Sequence, residues 1–295
     1  MIYKIQHSLT YEFSAPVYLE PHILYLKPRT DNSQKLLAFD LNVEPQPIFT
    51  ASNTDVIGNP EMRVWFQGLS HFLNVQAVSM VETERTNPFD FLLDSGCASL
   101  PVRYTPSGAG VLQAFRRKRH YPPDIRVFSS GLAHEAGGDT MGFLMNLVQT
   151  ISRTFRKIRR EEGFAWPAVK TLAARTGSCR DLSILFMACC SEQGLASRFV
   201  SGYFDGEGAQ NFRKELHSWV EVYLEGGGWR GFDPMNGIAV FDRHVALMSA
   251  PSARRTAPVI GKFRGGNVTT ELRCSVTMTA QTAESVFFQQ QQQQQ

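Results

Sequence analysis

The chain has 295 residues, which at ~150 residues per domain allows about two domains and a core that needs no disulfide or metal staple. Hydrophobic residues make up 43% and charged residues 19%, a globular composition, and 30 Lys+Arg against 27 Asp+Glu leave +3, too near neutral to argue for a nucleic-acid or membrane partner. Five cysteines, an odd number, exclude a disulfide-stapled secreted scaffold as the main design.

From the N-terminus, Ile5, His7, Leu9, Tyr11 and Phe13 alternate with mostly polar neighbours, the period of a half-buried strand. No apolar signal-peptide core precedes them, so a cytoplasmic location is expected. Phe39, Leu41 and Val43 alternate next, and Leu73 to Val81 again; Lys27-Pro28-Arg29 and Ile57-Gly58-Asn59-Pro60 supply turns. Residues 1–105 therefore read as a β-rich, sandwich-like domain.

The period then changes. Met141, Leu144, Met145, Val148, Ile151 and Phe155 recur at helical spacing over about 139–160, with Asp139 as N-cap. The basic run from Arg153 to Arg160 reads as a solvated helix end, and Arg116–Arg119 as a loop. A second helix fits Pro167–Arg175, with Pro167 in its first turn. A third fits Cys179–Gln193, stopped by Gly194; its longest apolar stretch, Leu182 to Cys190, is far short of the ~20 residues of a membrane span. Strands return at 197–204, 218–224 and 229–232, and strand-like sequence continues to about Thr279. Residues 289–295 are all Gln and read as a disordered tail.

The chemistry concentrates between Thr176 and Asn236. Ser178 and Asp181 form an S-x-x-D capping box around Cys179. That places the thiol in the first helical turn, where unpaired N–H groups and the helix dipole favour a thiolate. A small cysteine at a helix start is otherwise an ordinary packing residue. A thiol nucleophile also needs a base and a group to orient that base. His217 opens a strand, and Asp233 ends the next one before Pro234. For His217 and Asp233 to stand opposite each other, the turn must centre on residue 225. A turn centred on Gly227 would put Asp233 opposite Glu221, ~13 Å away at ~3.3 Å per residue. The triad is therefore expected to use the tighter register or a bulge. Trp219 and Trp229 either wall the site or are buried. A zinc site joining Cys179, Cys189, Cys190 and His217 lacks the usual C-x₂₋₄-C spacing, and the adjacent pair fits a buried helix stripe. Cys97 and Cys274 read as loop and strand thiols.

These residues resemble the transglutaminase-like superfamily. Its G-x-C-x-D stands here as Gly177 to Asp181, its small-Ala-Arg-x-Val-x-Gly-Tyr strand as Ala196 to Tyr203, its His-Ala-Trp-x-Glu as His217 to Glu221, and its Trp-x-x-x-Asp-Pro-Thr as Trp229 to Met235. Ser218 and Met235 depart from the pattern without touching the three reacting side chains, and residues 247–256 depart from the stretch expected there. Tyr11, Leu26 to Arg29, Val43 to Pro45 and Asp55 to Asn59 are similar to the β domain that precedes this core in bacterial members, and Ile260 to Gly266 to the closing segment. The papain signature C-G-[SA]-C-[WY] is absent.

The resemblance implies an α+β chain: a sandwich-like domain over 1–105, then a papain-like or transglutaminase-like core over 106–288, helices packed on an antiparallel sheet. It implies a cysteine protease, amidase or acyltransferase with Cys179 as nucleophile, His217 as base and Asp233 as orienter, acting on an amide-bearing peptide or protein. A binding protein that keeps the fold without turnover is the alternative. No cofactor or metal is expected. Because no D-x-[DN]-x-[DN]-G loop occurs, activity is expected to survive chelation of divalent cations, which an assay with and without EDTA checks.

Overall fold

The alternation around Ile5 belongs to one long strand, β1 (Ile2–Leu19), in the computed structural model, which describes residues 1–116, 121–160, 163–206 and 216–281. Its inward residues Tyr3, Ile5, Leu9, Phe13 and Val17 are buried, as the period-two pleat requires. Then come β2 (His22–Leu24), β3 (Gln34–Glu44), β4 (Phe49–Thr54), β5 (Pro60–Trp65) and β6 (Leu69–Thr83). β6 lies antiparallel between β1 and β3, while β2, β5 and β4 form a second sheet. Leu9, Val17, Leu24, Val64, Leu73 and Val75 fill a shared apolar core.

Helices follow: α1 (Ser95–Ala98), α2 (Pro106–Val111), α3 (Pro123–Glu135) and α4 (Thr140–Thr154). Asp139 caps α4 by accepting the Gly142 N–H at 2.6 Å. The helix ends at Thr154 and takes in only Arg153 of the basic run. Arg156 and Lys157 instead form a short strand, β7 (Arg156–Lys157), parallel to β8 (Thr176–Gly177), and Arg160 turns inward, so the run is not a solvated helix end. Between these strands lies α5 (Ala168–Ala174), with Pro167 as its cap, one position earlier than expected.

α6 (Cys179–Glu192) packs on an antiparallel sheet of β9 (Ser197–Phe204), β10 (His217–Leu224), β11 (Gly228–Asp233), β12 (Ile238–Ala239) and β13 (His244–Ala250), in the order β12-β11-β10-β9-β13. Leu182, Leu185, Phe186, Cys189 and Cys190 meet Val220, Val222, Leu224 and Phe232 in the main core. Both of those cysteines are therefore packing thiols. Cys97 is a third: it is buried in α1, not in a loop.

The chain then returns to its beginning. β14 (Val259–Ile260) pairs with β2, and β15 (Phe263–Arg264) and β16 (Thr270–Gln281) pair with β1, the last from Phe13↔Thr270 to Ile2↔Gln281. This corrects the expected division at residue 105. The closing strands complete the N-terminal sheets rather than the core of 106–288, while Cys97, Val102 and Tyr104 are buried in the helical core. The α+β class and the two architectural halves stand as expected. Arg117–Arg119 and the Gln run at 289–295 lie outside the described residues.

The two halves meet through Tyr3, Ile5, Val81, Val276 and Met278 on one side and Tyr203, Val245 and Leu247 on the other. A buried ion pair adds to this: Arg29, after β2, reaches Glu221 on β10, which also accepts Arg198 at 2.7 Å. Burial pushes the Glu221 carboxyl up, but the two guanidinium groups outweigh it and bring it to about 2. Among the described residues no helix is long and apolar enough to cross a membrane. Glu221→Ala would leave two desolvated guanidinium groups without their shared partner, and is expected to cost about 3–5 kcal/mol, measurable by denaturant unfolding.

Candidate active site

Why Cys179 starts a helix is visible in the contacts of Asp181. Its Oδ2 accepts the Ser178 backbone N–H at 2.9 Å and the Ser178 hydroxyl at 2.8 Å; its Oδ1 accepts the Trp166 N–H and the Arg160 guanidinium, each at 2.7 Å. Asp181 is fully buried. Burial pushes its carboxyl up, but these donors hold it below the usual carboxylate range. It is thus the cap that the sequence suggested, and it also anchors Arg160 and the Trp166 backbone. Arg180 adds to this by donating to the Gly163 and Arg160 carbonyls at 2.8 and 2.6 Å. Gly177 is required by close approach, since a Cβ there would lie 2.9 Å from that of Asp181.

The resulting turn presents a half-buried thiol beside His217. Burial pushes the Cys179 thiol up, yet its hydrogen bond with His217 and the charge on that ring bring it below the ordinary thiol value. Burial also disfavours a charged His217, but the Asp233 carboxylate and the thiolate raise it to about 10. Both shifts act in the same sense, favouring a thiolate beside an imidazolium.

His217 Nε2–H donates to Asp233 Oδ2 at 2.7 Å. The register that delivers this contact is neither of the two considered from the sequence. Leu224 pairs with Gly228 and Val220 with Phe232, so the turn centres on Gly226 and no bulge intervenes. Continuing that register puts Asp233 across from Trp219, two residues beyond His217. His217 and Trp219 share a face of the pleat, and a diagonal neighbour about 7–8 Å away is within reach of a His–Asp pair. Asp233 therefore keeps its contact without the shift that direct opposition would need. Gly202, opposite His217, makes room for Trp219: a Cβ there would lie 2.6 Å from the indole ring.

Asp233 is completely buried. Its Oδ2 also accepts Asn236 Nδ2 at 2.6 Å and His244 Nε2 at 3.2 Å, and its Oδ1 accepts the Met235 and Asn236 N–H groups at 3.0 and 3.2 Å. Burial pushes the carboxyl up, but the two histidines drive it far below the carboxylate range. Asn236 and His244 were not anticipated. An Asn-Gly turn three residues after the Asp was a local signal for the first; nothing near His244 announced it, because its partner lies on another strand. Trp219 is buried, and Trp229 packs on Phe115 and Tyr223 beneath the Arg198 guanidinium, 4.1 Å from its ring centroid. The ligand atoms of His217, Asp233 and His244 lie within 4.8 Å of one another, a spacing a metal ion could use. The hydrogen bonds between these groups already occupy Asp233 Oδ2.

Comparison with known proteins agrees with this architecture. Residues 3–82 match the model of the bacterial transglutaminase-like N-terminal region, and residues 139–234 that of the transglutaminase-like superfamily. The first match covers the strand-rich start of the chain, and the second spans α4 to β11, including Cys179, His217 and Asp233. The fold is shared with the "Putative Cysteine Protease from Cytophaga hutchinsonii", at a TM-score of 0.70 and 18% identity, over 96% of this chain and 92% of that one. An uncharacterized protein of Mycobacterium tuberculosis is 25% identical over 259 residues, covering 83% of this chain and 82% of the relative. One of Mycobacterium leprae is 25% identical over 97 residues, 32% of this chain and 34% of that protein.

The charge pair makes a direct prediction. A free thiol with a pKa of ~8.5 is only ~0.3% thiolate at pH 6. Cys179 is expected to react with iodoacetamide at pH 6 well above that level, with reactivity rising as pH increases through its lowered pKa. His217→Ala should return it to ordinary behaviour. Peptide-resolved mass spectrometry separates Cys179 from the other four thiols.

Proposed function

We propose that the protein is a cysteine-dependent acyl-transfer enzyme that hydrolyses an amide or peptide bond, or passes the acyl group to an amine. The observation that carries this reading is the placement of a helix-start thiol against a histidine whose far nitrogen is bonded to a buried carboxylate at 2.7 Å. Cys179 attacks the carbonyl carbon of an amide in a peptide or protein. The developing oxyanion lies at the N-terminus of α6, where first-turn N–H groups, that of Cys179 included, lack intrahelical partners and the helix dipole favours negative charge. His217 holds the thiol proton and delivers it to the leaving amine, leaving a thioester on Cys179. His217 then draws a proton from water, or from an acceptor amine, as that nucleophile attacks the thioester. Asp233 stabilises the imidazolium and fixes its orientation throughout.

This reading needs no cofactor, since every proton and every bond is accounted for by three side chains and the substrate. Cys179→Ala is expected to reduce hydrolysis and transfer to the uncatalysed rate while leaving the melting temperature nearly unchanged, because the half-buried thiol contributes little packing. Profiling with a peptide library and an activity-based thiol probe supplies the substrate for that assay. Wild-type turnover by the variant would overturn the assignment.

A further inference from the structure

His244 has no part in the acyl-transfer cycle, yet it touches the group on which that cycle rests. It opens β13, while Asp233 ends β11, and the chain between them crosses from one edge of the five-stranded sheet to the other. Its ring is buried, lying 4.4 Å from Phe204, 5.2 Å from Trp219 and 6.4 Å from His217, centroid to centroid. An ionised carboxylate can only accept hydrogen bonds. His244 Nε2, 3.2 Å from Asp233 Oδ2, must therefore carry a proton. Its Nδ1 is buried with no hydrogen bond of good geometry, the Phe241 carbonyl acting on the ring only as a weak backbone acceptor that raises its proton affinity. That is the arrangement of a neutral ring in a fixed tautomer, since a cation would bury a second, poorly paired donor beside His217.

Three side-chain donors thus converge on one oxygen: His217 at 2.7 Å, Asn236 at 2.6 Å and His244 at 3.2 Å. Asn236 and the two backbone N–H groups already hold the carboxylate in place. What His244 adds is a share in its charge. Each donor that the carboxylate serves weakens its pull on the others, because hydrogen bonds to the charged form stabilise that form independently of His217. A base with too tight a hold on its proton is a poor acid toward a leaving amine.

We propose that His244 is a positioning residue of the triad, a second imidazole on Asp233 whose Nε2–H tempers the carboxylate so that His217 can release the proton it takes from Cys179. The inference rests on the acyl-transfer reading for its purpose, but not for its geometry. The charged groups facing His244 are Asp233 and His217. Arg29, Arg85 and Glu221 line with it a cavity of about 20 Å³ behind the sheet. Burial holds His244 below the usual histidine value, which favours the neutral ring.

The test uses the full chain with Cys179→Ala, which removes the thiolate's own pull on His217. Nitrogen-15 spectra of the histidine side chains give tautomer and titration, with His217 assigned by comparison with His217→Gln. In this background His244 should be neutral with its proton on Nε2. Adding His244→Phe, which keeps a ring and removes the donor, should raise the His217 midpoint by about one pH unit, a tenfold change in its proton affinity. Adding His244→Gln, which can restore an N–H donor, should leave the midpoint within a few tenths of a unit of the Cys179→Ala value.

A proton on Nδ1 of His244 would overturn the proposal. So would an unchanged midpoint with Phe, or a Gln variant that behaves like Phe. If the Phe variant does not fold, the tautomer and the Gln variant decide. Ordinary reactivity of Cys179 in the wild-type chain would sink the acyl-transfer reading instead, and none of these spectra depends on it.

Discussion

A carboxylate with no exposure to water, placed where a sheet ends, governs the architecture of this protein. Asp233 is tolerable there only because five donors meet it: two imidazoles, one amide side chain and two backbone N–H groups. Burying an unpaired charge is far more costly than any single packing defect. The turn after Asp233, the strand that begins with His217 and the crossing chain that brings His244 must therefore all be in place together. The charged form of His217 is favoured by that requirement, because the negative charge holding the imidazolium is fixed by the fold rather than by a mobile side chain.

The thiol side of the site is built by a separate device. Asp181 is a second buried carboxylate, tied to Arg160, Ser178 and Trp166, and it locks the start of α6 against the segment before it. Away from the Cys179–His217 contact, helix and sheet meet through aliphatic and aromatic packing, with Leu182, Leu185 and Phe186 against Val220, Val222 and Phe232. Two polar clusters set local geometry and an apolar layer sets the distance between them. This division suits a site in which atoms must be placed within tenths of an ångström, since close-packed interiors transmit small displacements rather than absorb them.

Much of this was readable in the residues. The capping box around Cys179, the Asp139 cap and the buried stripe with Cys189 and Cys190 all depend on neighbours within one or two helical turns, where sequence spacing and spatial contact coincide. The His217–Asp233 pair was legible as a pair but not as a register, because reasoning from direct opposition omits the diagonal contact that a pleated sheet also offers. Arg160 was misread for a related reason: it closes a run of basic residues, whereas its partner Asp181 is brought to it by the fold. His244 and the pairing of β16 with β1 left no local trace, since alternation identifies a strand but not its partner. α3 was missed because its buried residues, Ile125, Ser129 and Leu132, make too thin a stripe to stand out.

The pairing of Ile2 with Gln281 has a consequence for synthesis. β1 leaves the ribosome about 250 residues before the strand that covers its edge. Until then β1 can pair with β6 but presents an open edge, the kind of surface that recruits foreign strands. Everything needed for the helix-and-sheet core, from Cys97 through Ala250, emerges in between. The order of translation thus favours a protein in which the core assembles as a loop held between two halves of an unfinished sheet, which β16 then seals. Contacts this remote in sequence form slowly, so the closing strand sets the moment at which a nascent chain stops being vulnerable to aggregation.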